Sequence, residues 1–200
     1  AFGNIYTRIM NPTQAVLEER LAALEGGTAA LAVASGHAAQ MIVFHTLMTA
    51  GDNFIAARRL YGGSINQFGH SFKNFGWEVR WADVDDPETI ASQIDERTKA
   101  LFIESFANPA GFVTDIEAMA KIAHDAGIPL IVDNTMASPY LVRPFEHGAD
   151  IVVHSLTKFL GGHGNSMGGV IVDGGTFDWS ASDKYPMLST PRDEYGGVDS

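Results

Sequence analysis

Two hundred residues, 46% hydrophobic and 18% charged, suffice for one large domain with a sizeable buried core. Thirteen basic against 24 acidic side chains give a formal net charge of -11, which argues against nucleic acid or an anionic membrane as the main partner but leaves room for a local basic pocket. No apolar run reaches the length of a membrane-spanning helix, and the lack of cysteine excludes disulfide frameworks, thiolate metal sites and cysteine nucleophiles, so a cytoplasmic protein without a membrane partner is expected.

The opening AFGNIYTRIMNPT has neither the charged region nor the apolar stretch of a secretory leader, and its non-methionine start suggests a piece of something longer. Thr13 is the expected cap of a first helix, whose apolar positions Val16, Leu17, Leu21 and Leu24 follow helical spacing and which Gly26 and Gly27 would end. A strand over 30–34 leads into a helix over 36–49, and a strand over 53–57 into a helix over 65–75. A strand over 78–81 precedes a helix over 87–94, with Asp86 as its cap and Pro87 at its first position. A strand over 100–104 and a helix over 116–126 follow, then strands over 129–133, 150–154 and 169–172.

Several of these strands, such as PLIVD and DIVVH, are continuous apolar runs rather than alternating ones, as expected for strands covered on both faces. The alternation of strand and helix predicts the α/β class, with a mostly parallel sheet of about seven strands flanked by helices. After Asp173 the pattern fades into a long loop rich in glycine, proline and aromatic residues.

Open α/β sheets bind ligands beyond the carboxyl ends of their strands. The residues that follow the predicted strands are Ser35-Gly36-His37, Tyr61-Gly62-Gly63, Glu104 with Asn108, Asp133, and the run His154-Ser155-Leu156-Thr157-Lys158. Each has a plain reading beside a functional one. Lysines are mostly solvated, but Lys158 follows a buried-type strand, sits beside two hydroxyls and precedes two glycines. Asp133 in DNT can simply cap a turn. Ser35 and Gly36 can cap a helix or offer its N–H groups to an anion, and Tyr61 can be a core aromatic or a platform for a planar ligand. The seven histidines show no metal-binding spacing, so no metal is expected, and GGHGNSMGG lacks the ending of a phosphate-binding P-loop.

Together, HSLTKFLGGHGNSMGG, IVDNTMASPYLVRPFEHGADIVVHS and YPMLSTPRDEYGGV resemble the Cys/Met-metabolism family of pyridoxal-phosphate enzymes, most closely its O-acetylhomoserine sulfhydrylase branch. The resemblance implies the large domain of a PLP-dependent transferase of fold type I, like that of class I aminotransferases. It makes Lys158 the covalent tether of the cofactor and the general base, and Asp133 the partner of the pyridine nitrogen. Tyr61 stacks on the ring and has a catalytic part, and Asn108 lies near the phenolic oxygen. The phosphate takes the N–H groups of Gly36 and His37, beside Ser35, and the hydroxyls of Ser155 and Thr157.

By the same resemblance, YTRIMNPT is an arm in which Tyr6 and Arg8 reach the phosphate of a neighbouring subunit, implying a homo-oligomer, dimeric at minimum and typically tetrameric. Glu104 falls near the amino-acid substrate. The implied domains are an arm over 1–12, the cofactor-binding α/β domain over 13–175 and, over 176–200, a loop leading toward a C-terminal domain that supplies the arginine for the substrate carboxylate. The implied reaction is γ-replacement in methionine biosynthesis: O-acetyl-L-homoserine and sulfide, or methanethiol, give L-homocysteine, or L-methionine, and acetate. Methionine γ-lyase, cystathionine γ-synthase and O-succinylhomoserine sulfhydrylase share the same cofactor residues. Outside the family stand a penicillin-binding-type acyl-enzyme, since Ser155 and Lys158 fit S-x-x-K, and a non-catalytic binding or assembly module.

Overall fold

A continuous apolar strand is stable only where both of its faces are covered, which places such strands at the centre of a sheet. The computed structural model, which describes residues 6, 7 and 9–190, has this arrangement. Its strands are β1 (Ala29–Val33), β2 (Asn53–Ala57), β3 (Glu78–Ala82), β4 (Thr98–Glu104), β5 (Leu130–Asp133), β6 (Ile151–Ser155) and β7 (Gly169–Asp173). They form one sheet in the order β1-β7-β6-β5-β4-β2-β3. All of β2 and nearly all of β4, β5 and β6 are buried, whereas the edge strands β1 and β3 are more open. β7 runs antiparallel to both of its neighbours, and the remaining pairs are parallel. Six carboxyl ends therefore share one rim with the amino end of β7.

The helices follow local chemistry. Helix α1 (Pro12–Glu25) is capped by Asn11 rather than Thr13: Asn11 Oδ1 accepts from the N–H groups of Thr13 (2.9 Å) and Gln14 (3.3 Å). The proline explains the difference, since it belongs at the first helical position and moves the cap to the residue before it. Gly26, with φ of 81°, ends the helix in the left-handed conformation that favours glycine. Helix α2 (Gly36–Leu47) is capped by Ser35, whose hydroxyl accepts from Ala38 N at 3.1 Å.

Helix α3 (Gly62–Asn66) begins three residues before the expected helix and continues through a π turn (Gln67–Ser71) and a 3-10 turn (Phe72–Phe75). Helix α4 (Pro87–Ser92) has Asp86 as its cap, accepting from Thr89 N at 3.1 Å, and α5 (Ile116–Asp125) has Asp115. Two short helices, α6 (Ser138–Leu141) and α7 (Pro186–Ser189), have no counterpart in the sequence pattern.

Helix α2 packs on β1, β6 and β7, and α5 packs on β4 and β5. Between sheet and helices lies an aromatic core in which Phe44, Phe54, Phe68, Phe72 and Phe102 are all fully buried, with the Phe44 and Phe54 rings 4.1 Å apart. The described part of the segment after β7 is also anchored. Tyr185 is buried, its hydroxyl donates to Lys99 O (2.9 Å), and Phe177 and Trp179 both pack edgewise against it. No described helix is long and apolar enough to cross a membrane.

Candidate functional site

The parallel strands deliver their last residues to one rim, and there the first turn of α2 meets the end of β6. Contact is close because residue 36 is glycine: a Cβ at Gly36 would lie 2.9 Å from Ser155 Cβ. Gly169, at the start of β7, is tighter still, since a Cβ there would fall 2.0 Å from Ser35 O. These two approaches bring the leading N–H groups of α2, which no helix can satisfy internally, beside the hydroxyl-bearing turn that follows β6.

A cavity of about 290 Å³ opens at this rim. Ser35, Gly36, His37, Tyr61, Glu104, Asn108, Asp133, Ser155, Thr157 and Lys158 line it, so these sequence-derived candidates share one space. Tyr6 does not line it and is 53% exposed, while Arg8 lies outside the described residues. His154, which shares the run with Lys158, is buried away from the cavity. Its Nε2 meets Glu25 Oε1, which also accepts from Asn134 Nδ2 at 3.0 Å. No cluster of His, Asp and Glu suited to a metal occurs among the described residues.

Asp133, the last residue of β5, serves a turn and the cavity at once. Its Oδ1 accepts from Thr135 N (3.0 Å) and from the Thr135 hydroxyl, as in an Asx-turn. Its Oδ2 accepts from Gln40 Nε2 at 3.3 Å, and the same amide donates to Ser64 Oγ at 2.9 Å. Thr135 Oγ1 in turn accepts from Ser155 N at 2.8 Å, linking the ends of β5 and β6.

Lys158 sits in a tight turn, its N–H donating to Ser155 O (3.2 Å) and its carbonyl accepting from Gly162 N (2.8 Å). Its backbone is thus fixed while its side chain remains accessible in the cavity wall. Tyr61 and His37 are stacked, with ring centroids 6.0 Å apart.

Glu104 closes the floor. Its Oε1 accepts from Tyr61 N at 2.6 Å and its Oε2 from Asn108 N at 2.9 Å. Burial first, and the charge of Asp133 second, push its carboxyl up to about 7 against the pull of those two N–H groups.

Gln40, Ser64 and Thr135 line the cavity without having been singled out from the sequence. Gln40 carries the clearest signal, being one helical turn beyond Gly36 and therefore on the same face of α2. It is a polar residue at a buried helical position, and its Oε1 lacks a protein partner among the described residues.

The profile of the family described as Cys/Met metabolism PLP-dependent enzymes matches residues 1–191. The chain belongs to this family. Among relatives in the Cys/Met metabolism PLP-dependent family, O-acetyl-L-homoserine sulfhydrylase of Leptospira meyeri is 50% identical over 98% of this chain and 44% of its own length. O-acetyl-L-homoserine sulfhydrylase 1 of Thermus thermophilus is 52% identical over 98% of this chain and 47% of its own. A crystal structure from Campylobacter jejuni, described as an O-acetylhomoserine (thiol)-lyase with N'-pyridoxyl-lysine-5'-monophosphate, superposes with a TM-score of 0.94 at 41% identity, over 100% of this chain and 49% of that one. The chain spans about half the length of the curated relatives it matches.

The cavity's donor set fits the family's cofactor. A helix N-terminus flanked by the hydroxyls of Ser155 and Thr157 suits a phosphate, and the glycine at 36 keeps that corner open. A carboxylate, an aromatic ring and an amine face the same space, as a cationic planar heterocycle with an aldehyde requires.

Proposed function

We propose that this chain is the cofactor-binding part of an enzyme that uses pyridoxal 5'-phosphate for γ-replacement on O-acetyl-L-homoserine. Hydrosulfide displaces acetate: the Cγ–O bond breaks with its electron pair leaving on acetate, a Cγ–S bond forms, and L-homocysteine results. Methanethiol in place of sulfide gives L-methionine. The observation that carries this reading is that Lys158 and Asp133 face one cavity beside the N-terminus of α2. The named activity of relatives half identical to this chain supports the acetyl ester as substrate.

When bound, pyridoxal phosphate supplies an electron sink that acidifies the substrate's Cα and Cβ protons. Lys158 is the residue whose Nζ would hold the cofactor covalently, and its amine, when free, would carry protons as general base and acid. Asp133, with its carboxylate fixed by Thr135 and Gln40, keeps the ring nitrogen protonated. The N–H groups of Gly36 and His37, beside Ser35, and the hydroxyls of Ser155 and Thr157 bind the phosphate, an arrangement by which a net acidic chain can retain an anion. Tyr61 would provide the ring platform, and Asn108, which lines the same cavity, would serve the cofactor's phenolic oxygen.

The likeness of YTRIMNPT to the family's arm supports a role for Tyr6 and Arg8, the latter outside the described residues, at a neighbouring subunit's phosphate, and so a homodimer or larger homo-oligomer as the active unit. Residues 13–175 are the cofactor-binding domain, and 176–200 lead toward a C-terminal domain that binds the substrate carboxylate.

The test is spectroscopic and chemical. The full-length protein, incubated with pyridoxal phosphate, is expected to gain a visible absorption band that Lys158→Ala lacks. It is also expected to convert O-acetylhomoserine and sulfide to equal amounts of thiol and acetate, with O-succinylhomoserine a poorer substrate. A protein that gains no band, or forms no thiol, overturns the proposal.

A further inference from the structure

Glu104 stands at the end of β4, next to β2 in the sheet, and its side chain spends both oxygens on backbone N–H groups. One belongs to Tyr61, in the loop that follows β2, and the other to Asn108, in the loop that follows β4 itself. Tyr61 is the residue just before α3, and its N–H, like the other leading N–H groups of a helix, has no partner within the helix and takes one from outside. Glu104 supplies that partner from a neighbouring strand. Its backbone is pinned as well, with Glu104 O accepting from the Thr114 hydroxyl at 2.7 Å. Only 5% of Glu104 is exposed, so little of its carboxylate faces solvent or an incoming ligand.

We propose that Glu104 is a positioning residue: its carboxylate clamps the backbone of Tyr61 and Asn108, so that two loops from adjacent strands present their side chains to the cavity in one fixed relation. The ring of Tyr61 and the amide of Asn108 line the same space from different elements, and no described secondary-structure ladder joins those two loops. The shared carboxylate couples them. A neutral or apolar side chain at this site would relieve the repulsion from Asp133 and the burial of charge, yet it would forfeit at least one of the two bonds. The cost of the charge thus has a positional return. The purpose of the clamp, presenting Tyr61 and Asn108 to a cofactor ring, rests on the pyridoxal-phosphate reading. The clamp itself does not.

Two measurements on the full-length protein separate these levels. In the cofactor-free state, Glu104→Gln keeps the volume but turns an amide N–H₂ toward one of the two backbone donors, and Glu104→Ala removes both acceptors. Amide hydrogen exchange at Tyr61 or Asn108 is expected to quicken roughly tenfold or more in the first variant, and at both in the second. Unchanged exchange at both sites in both variants overturns the clamp.

With cofactor, Glu104→Gln is expected to weaken pyridoxal-phosphate binding by about tenfold and to alter the visible circular dichroism of the bound ring. The KM for the amino-acid substrate should stay within about threefold. The opposite split, with KM raised about tenfold while cofactor affinity and dichroism stand still, makes Glu104 a substrate contact and overturns the positioning role. If the wild type takes up no pyridoxal phosphate, the functional reading fails, while the exchange result still decides the clamp.

Discussion

At the amino ends of β2 and β4, Asp95 accepts hydrogen bonds from Asn53 Nδ2 (2.9 Å) and Arg97 N (2.9 Å) and pairs with Arg80 at 2.7 Å. At the carboxyl ends of the same two strands, Glu104 faces the charge of Asp133 and receives only two backbone N–H groups. The first carboxylate is held well below the usual range, by the Asn53 bond foremost, with Arg80 assisting. The second is pushed up to about 7 by burial and by its acidic neighbour. One end of the sheet is electrostatically matched and knits the fold together. The other gathers two carboxylates, Glu104 and Asp133, and the amine of Lys158 around one cavity, with no ion pair formed between them among the described residues, an arrangement typical of a functional site.

Substitutions at the two ends should separate accordingly. The largest effect is expected from Lys158→Ala, which in the full-length enzyme should lower turnover roughly a thousandfold or more and abolish the cofactor's visible band. Its melting temperature without cofactor should match the wild type, because Lys158 contributes an accessible side chain rather than core packing.

Next comes the pH dependence of stability. Glu104 releases its proton near 4.5 when unfolded and at about 7 when folded. Its contribution to stability is therefore complete below 4.5 and is lost as pH rises through 7, a change of about 3 kcal/mol at most, at roughly 1.4 kcal/mol per pH unit. Urea unfolding of the cofactor-free protein at pH 5 and pH 8 should show this loss in the wild type and not in Glu104→Gln, once the other groups' shared slope is subtracted.

Asp133→Asn keeps the turn with Thr135 but removes the charge, and should cost about a hundredfold in turnover with little change in melting temperature. The smallest effect belongs to the opposite end. Asn53→Ala strips the buried Thr98 hydroxyl and Asp95 of a partner, and should lower stability by about 1–3 kcal/mol while leaving cofactor affinity unchanged. A variant at the amino end that altered cofactor binding would break the comparison.

The contrast between the two ends was only half legible in the sequence. Strand β2 falls at 53–57 as the run NFIAA suggests, and the continuous apolar runs PLIVD and DIVVH do mark inner strands. Ser35, Asp133, Ser155 and Lys158 were identifiable because a parallel sheet places the residues after each strand on one rim. Gln40 was marked locally only by its place one turn beyond Gly36, and its importance comes from Asp133, 93 positions away. His154 belonged to a recognisable run yet turned away from the cavity, because successive strand residues point to opposite faces. The pairing of Asn53 with Asp95, across 42 positions, had no local mark at all.

Local chemistry thus determined the strands, most helix boundaries and the rim on which reactive residues gather, since apolar runs, caps and glycines act over a few neighbouring residues. Asn11 in place of Thr13 as the first cap shows how far that local reading reaches and where a single proline shifts it. Tertiary structure alone decided the burial of Glu104, its division between Tyr61 and Asn108, and its nearness to Asp133. Charge, desolvation and hydrogen bonding at that carboxylate depend on distances between chain segments that only packing brings together.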